Sequence, residues 1–363
     1  METNLQKLTK RTDADYENYI SDESGVHYSP DGKRLLHARI DYEEVYSIRE
    51  GTEVICDRAF DRKYYNFLKK IVIPESVKVI GENAFDGYYG VEVVCHSPHF
   101  VLQDNLLIDN DTHVIVAFFG SKYDDIVIPE SVKSVGRAFW NSAIRQITLS
   151  KSIKSIGKES FQFCSMLQKV TIPDSVTSIG DNAFDECEVL RKIDIPKSVE
   201  TIGKEAFMWC AFKELVIPNG VESIGDGAFT CCGLMERITI PNSLTHIGSN
   251  PFAGCDKVRI ISHSKRFMAE NDMLIDNRDG RLITYFGNAE QLYVPNTVYS
   301  IGSNAFADKP IKQITLPSTV KNIEKDAFVE YNRLEKIIIC GSNAKELKAM
   351  LPEKQQKITE CVD

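Results

Sequence analysis

The sequence contains no run approaching the roughly 18 apolar residues that a membrane-spanning helix needs. Its opening stretch, METNLQKLTKRTDADYENYI, lacks the apolar core of a secretory signal. As it stands, the chain is expected in the cytoplasm and not inserted in a membrane. A chain whose export signal had been trimmed would read identically, and would then be secreted or held at the cell surface. A basic excess is missing too: 43 Lys and Arg face 52 Asp and Glu, for a net charge of -9. That balance, without long acidic runs, disfavours nucleic acid and anionic membrane as partners.

Catalytic signatures are equally scarce. No Walker or dinucleotide-binding glycine pattern occurs, because Gly157, Gly180 and Gly203 lie a whole repeat apart. Of the histidines, only His96 and His99 are close, in CHSPHF beside Cys95; Pro98 holds that loop extended and no fourth ligand is evident. The 10 cysteines include no CxxC pair, since Cys231 and Cys232 are adjacent. Serines recur at one repeat position (Ser76, Ser131, Ser152, Ser175, Ser198, Ser243), which is how a turn residue is distributed. No serine, histidine and acid combination stands out against that background. The reading is therefore not an enzyme, with no catalytic residue, no metal and no cofactor.

What the chain has instead is a beat. Phe161, Phe184, Phe207, Phe229 and Phe252 succeed one another at intervals of 23, 23, 22 and 23 residues. Pro173, Pro196, Pro218 and Pro241 keep the same time. Units of this length stack, each covering its neighbour's apolar face, so the period predicts a solenoid. In one unit Val170 and Ile172 alternate with Lys169 and Thr171 as a half-buried strand, and Pro173 ends it. Val176 and Ile179 come next, Gly180 turns the chain, and Ala183-Phe184 fill the far side. Cys164, Cys187, Cys210, Cys232 and Cys255 each lie three residues past the repeat phenylalanine and are expected to be buried, reduced thiols.

Two phenylalanine steps, Phe85 to Phe139 and Phe252 to Phe306, are 54 residues long. Each holds one repeat plus a hairpin module, NLLIDNDTHVIVAF or DMLIDNRDGRLITYF, related to GVHYSPDGKRLLHA near the start. Because each module keeps phase with the repeat after it, the modules are expected in line with the stack. The predicted organisation is a lead-in over 1–24, a single solenoid over 25–340 with hairpins near 25–38, 105–118 and 272–286, and a helical cap over 341–363. Ser342 or Asn343 is the expected N-cap of that last helix. About 11 to 13 strand layers at roughly 4.8 Å predict a sheet some 50 to 60 Å long.

The outward positions of the repeat strand form two rows. Threonine or valine there satisfies strand propensity. Asp194, Arg259 and Tyr293 break that background. The candidate contact row is Thr148, Thr171, Asp194, Val216, Thr239, Arg259 and Tyr293. A rival patch lies on the loop side, at the position two past the repeat phenylalanine. Most copies put a small or polar residue there, whereas Phe163 and Trp209 are aromatic, with Met208 and Phe212 placed in sequence to cover Trp209.

The phrase I-P-x-S-V-x-x-I-G-x-x-A-F, with C-x-x-L after it, resembles the leucine-rich repeat of the BspA-like surface proteins. Ile172-Pro173-Asp174-Ser175-Val176 and Ile179-Gly180-Asp181-Asn182-Ala183-Phe184 are its cleanest copy, and the likeness runs over about 25–340. The resemblance implies a curved, right-handed leucine-rich repeat solenoid with a short-stranded sheet on one face. It implies a non-enzymatic bacterial protein that binds other proteins, in adhesion or contact with a host or cell surface. A structural scaffold or intracellular spacer, working through end-to-end or self contacts, is the alternative. A protein ligand is favoured over a carbohydrate. Local departures from the pattern are Cys56 and Glu324 in place of the turn glycine, Ser150 in place of proline and Ser160 in place of alanine.

Overall fold

The computed structural model describes residues 4–40, 42–60, 67–121, 125–255, 257–307, 309–328 and 333–362. The chain forms two compact units, Met1–Val176 and Thr177–Asp363. Each is a stack of β-coils in which most coils give one longer strand and one two-residue strand, and both kinds run in parallel ladders.

Coil geometry comes from the residues that recur. In the second unit Arg237–Ile240 alternates outward and inward, and Pro241 ends the strand. His246–Ile247 then pairs in parallel with Ser223–Ile224 of the coil before it. Between the two strands Ser243 Oγ donates to the Val221 carbonyl at 2.7 Å. Ser76 and Ser175 make the same bond to Thr52 and Ile153 in the first unit. The recurring serine thus satisfies a carbonyl of the neighbouring coil. Gly248 is required by close approach, since a Cβ there would lie 2.4 Å from the Asp226 amide nitrogen.

Beyond that turn the phenylalanines stack face to face through the core. Phe184, Phe207, Phe229 and Phe252 lie 5.4 to 5.7 Å apart in one unit, and Phe139 lies 5.7 Å from Phe161 in the other. The cysteine file lies beside them. Cys210, Cys232 and Cys255 donate to the carbonyls of Phe184, Phe207 and Phe229 at 3.1 to 3.2 Å. All 10 cysteines are free, and the five of the file are buried as expected. Burial in this apolar file pushes the Cys164 thiol up to about 12.

The hairpin modules are in line, but each has a strand that the expected two-stranded hairpin lacks. Phe100–Gln103, Leu106–Asp109 and Ile115–Phe118 form an antiparallel meander, as do Phe267–Glu270, Met273–Asp276 and Arg281–Tyr285. The extra turns are Asp104-Asn105 and Asn271-Asp272, all four residues with positive φ, the two-residue turn that asparagine and aspartate tolerate. Two modules hand over to the stack in register, Arg34–His37 pairing in parallel with Val54–Ile55 and Arg281–Tyr285 with Ser300–Ile301, and the middle one does so through the single parallel bridge of Val114 with Ser134. The modules also fill the long gaps in the phenylalanine file. Phe119 packs on Phe85 at 5.2 Å, Phe118 on Phe139 at 5.1 Å and Tyr285 on Phe306 at 6.5 Å.

Among the described residues the long strands do not form one sheet of 11 or more layers. They form four ladders: Val45–Ser47 to Glu92–Cys95, Asp125–Val127 to Lys169–Thr171, Glu214–Val216 to Arg259–Ser262, and Gln291–Tyr293 to Thr359–Val362. Within each unit an antiparallel meander comes after one ladder and before the next, so ladder pairing stops there. The tail is also only partly helical. Ala344–Met350 and Glu353–Gln356 lead to the strand Thr359–Val362, which adds to Lys336–Cys340 in parallel. Asn343 makes no cap bond; its amide donates to the Val320 carbonyl at 2.8 Å, as the repeat serines do. At the other terminus Asn4–Thr9 and Asp13–Glu17 are helices, the second with a Thr12–Asp15 capping box. The Asp57 amide of the first coils donates to the Thr9 carbonyl at 3.0 Å, which ties the first helix to the first unit.

Candidate functional site

The outward residues of the long strands were the sequence candidates, and strand register decides which of them share a row. In the first unit Val127, Thr148 and Thr171 are in register, with Asp125, Gln146 and Lys169 as the parallel row. In the second unit Val216 aligns with Thr239, and Glu214 with Arg237. Tyr293 aligns with Thr315 in the last ladder.

Two candidates fall elsewhere. Arg259 pairs with Arg237, and Ile261 takes the place beside Thr239. Arg259 is therefore in the charged row, not the threonine row. The two rows lie two residues apart on the same outward face, so Arg259 keeps its face and changes only its row. Asp194 is exposed, but Lys192–Asp194 carries no ladder strand, and its carboxylate is paired with Lys192 at 3.3 Å.

The two rows differ in chemistry. The charged row is zipped between layers: Lys70 to Glu92 at 2.7 Å, Arg237 to Glu214 at 3.5 Å, and the Gln146 amide to Asp125 at 3.3 Å. Such exposed pairs contribute only about 0.2–1 kcal/mol each, yet they occupy their own side chains. The other row leaves large apolar groups in water. Val127 is 68% exposed, Val216 66% and Tyr293 67%. Each is preceded by a fully inward neighbour, Ile126, Leu215 or Leu292, that anchors the strand to the core.

The loop-side position has a backbone explanation. Two residues past the repeat phenylalanine the chain is left-handed, with φ 78° at Gly87, 55° at Asn141, 56° at Glu186 and 67° at Gly254. Small and polar residues suit that conformation, and Phe163 (φ 62°) and Trp209 (φ 57°) adopt it against their preference. Phe163 is partly buried, with its ring edge-on to Trp140 at 5.5 Å. Trp209 remains 48% exposed. Phe212, which sequence placed as its cover, packs on Phe207 at 5.6 Å.

Among the described residues no group of three or more His, Cys, Asp or Glu side chains converges to hold a metal ion. Among the same residues no helix is long and apolar enough to cross a membrane. The recurring serines and thiols are bonded from coil to coil.

Solved structures with a similar course of chain include a leucine-rich cell surface protein from Faecalibacterium prausnitzii A2-165. It is 21% identical, with 95% of this chain and 94% of that one covered and a TM-score of 0.46. A leucine-rich repeat protein from Eubacterium ventriosum is 18% identical over 72% of this chain and 83% of that one, with a TM-score of 0.49. Another from Bacteroides ovatus is 20% identical over 95% and 98%, with a TM-score of 0.43. No curated protein matches the chain. The family described as BspA type leucine rich repeat region (6 copies) matches residues 44–98, 114–211, 200–273 and 284–360. Those spans take in most of the chain and the coils whose serine, phenylalanine and cysteine files build the core, so the protein belongs to the BspA-type leucine-rich repeat family.

Proposed function

We propose that this protein binds another protein through the apolar row of its long strands, as an adhesion module at a cell or host surface. The observation that carries this reading is made in each unit by itself: Val216 and Tyr293 in the second unit, and Val127 in the first, are large side chains about two-thirds exposed on ladder strands. Ladder pairing fixes their backbone, so little conformational entropy is lost when a partner covers them. Tyrosine is also a type that commonly dominates interface energy. The paired charges of the neighbouring row supply a polar rim. Arg259, beside Arg237 in that rim, favours an acidic group on the partner.

The test begins with a partner cross-linked to the full chain on intact cells and then purified. Its affinity is measured by surface plasmon resonance for Tyr293→Ala, Val216→Ala, Asp194→Arg and Trp209→Ala, with melting curves for each. Tyr293→Ala or Val216→Ala should weaken binding by at least about fivefold, roughly 1 kcal/mol. Asp194→Arg and Trp209→Ala should change it little. A large loss confined to Trp209→Ala, with folding intact, would move the contact to the loop side and refute the row.

A further inference from the structure

The first unit carries a hollow of about 600 Å³ on its loop side, walled by turns on either side of the 54-residue step. In the core Phe118 and Phe119 fill that step. The loops are not filled in the same way: Asn83 and Gly87 line one wall, Asn141 and Phe163 another. The volume suits a ligand of small-molecule or short-oligomer size.

Its lining is neither apolar nor uniformly charged. Arg11 and Arg58 supply two guanidiniums, and among the described residues no carboxylate pairs with either. Asn83, Asn141 and Asp86 add amide and carboxylate groups. Ser142 is 2% exposed, lines the hollow, and its hydroxyl has no hydrogen-bond partner. An orphaned buried hydroxyl costs stability unless something satisfies it. Phe163 completes the wall with a ring held edge-on by Trp140, whose indole N–H donates to Gln162 at 3.1 Å. The strained backbone at Phe163 keeps an aromatic ring where asparagine or glycine would be easier.

We propose that this hollow binds an acidic saccharide. A guanidinium matches a sugar carboxylate by paired charge-assisted bonds. The amides, Asp86 and the Ser142 hydroxyl match ring hydroxyls, and the Phe163 face matches the C–H face of a pyranose. The site stands apart from the protein-binding row, because it uses loop residues of the first unit alone.

The experiment is saturation-transfer NMR and calorimetry on the full chain with digalacturonic acid, using neutral galactobiose as the control. Saturable binding of the acid is expected, at least about tenfold tighter than the neutral sugar. Arg58→Gln or Phe163→Ala should weaken it by about fivefold or more, and Ser142→Ala should weaken it without lowering the melting temperature. Arg58 is exposed, so its variant tests the site without disturbing the core. No saturable binding by the wild-type chain, equal affinity for the neutral sugar, or affinity unchanged in both Arg58→Gln and Phe163→Ala would overturn the proposal.

Discussion

Replacing Glu324 by glycine restores the residue that most copies of the repeat place at this turn, and repeat arithmetic alone predicts a more stable protein. The structure predicts a less stable one. The Glu324 carboxylate accepts two bonds from Arg281, at 2.6 and 3.1 Å, and two from the Ser303 amide and hydroxyl, both at 2.8 Å. The Arg281 hydrogen bonds, opposed by burial and helped by Ser303, hold its carboxyl down from 4.5 to about 2. At about 1.36 kcal/mol per pH unit that shift has a ceiling of roughly 3.4 kcal/mol. The side chain is 30% exposed, so solvent screening brings the figure to about 2 kcal/mol. Glu324 is not left-handed, so glycine gains nothing there and adds chain entropy of about 0.5–1 kcal/mol.

Glu324→Gly should therefore lose about 2–3 kcal/mol at pH 7, read by chemical denaturation of the full chain. The pH dependence is a second signature. A depressed carboxyl stabilises the fold fully above about pH 4.5 and loses that effect as pH falls toward 2. The gap between the wild type and Glu324→Gln should shrink to less than half its neutral value by about pH 3. A glycine variant as stable as the wild type at pH 7, or a gap that ignores pH, would refute the reasoning.

Two more expectations concern the core. Phe229 is stacked between Phe207 and Phe252 at 5.7 Å from each, so Phe229→Ala should cost about 3–5 kcal/mol in the same assay; a loss below about 1 kcal/mol would mean the file is not close-packed. Alkylation at pH 8, with mass spectrometry as the readout, should modify the exposed Cys361 promptly and leave Cys164, Cys210 and Cys232 unreacted until denaturant is added, because burial raises the first two thiols and the neighbouring Cys255 together with burial raises the third. Labelling of those three at the Cys361 rate would show that the file opens in the folded protein.

How far the sequence could be read depended on whether a signal was repeated. Phe229, Ser243 and Cys232 were legible because each recurs once per coil and each faces the same neighbour in the next. Features that occur once were not. The meander strands Phe100–Gln103 and Phe267–Glu270 were missed, although Asp104-Asn105 and Asn271-Asp272 are turn signals in plain view. The row of Arg259 is not legible either, because both rows lie on one outward face two residues apart and only pairing with Arg237 decides between them. The strand Thr359–Val362 has a partner only because Lys336–Cys340 presents an open edge.

The period of the phenylalanines by itself determined that the chain coils, what each coil buries and which family it joins, because stacked equivalent positions must satisfy one another. Tertiary structure decided how far each ladder runs, which outward residues share a row, and where loops part to leave a hollow. Those outcomes rest on hydrogen-bond register and on space left by non-repeating segments. Neither is encoded in any one residue; both arise only when distant strands and turns are placed side by side.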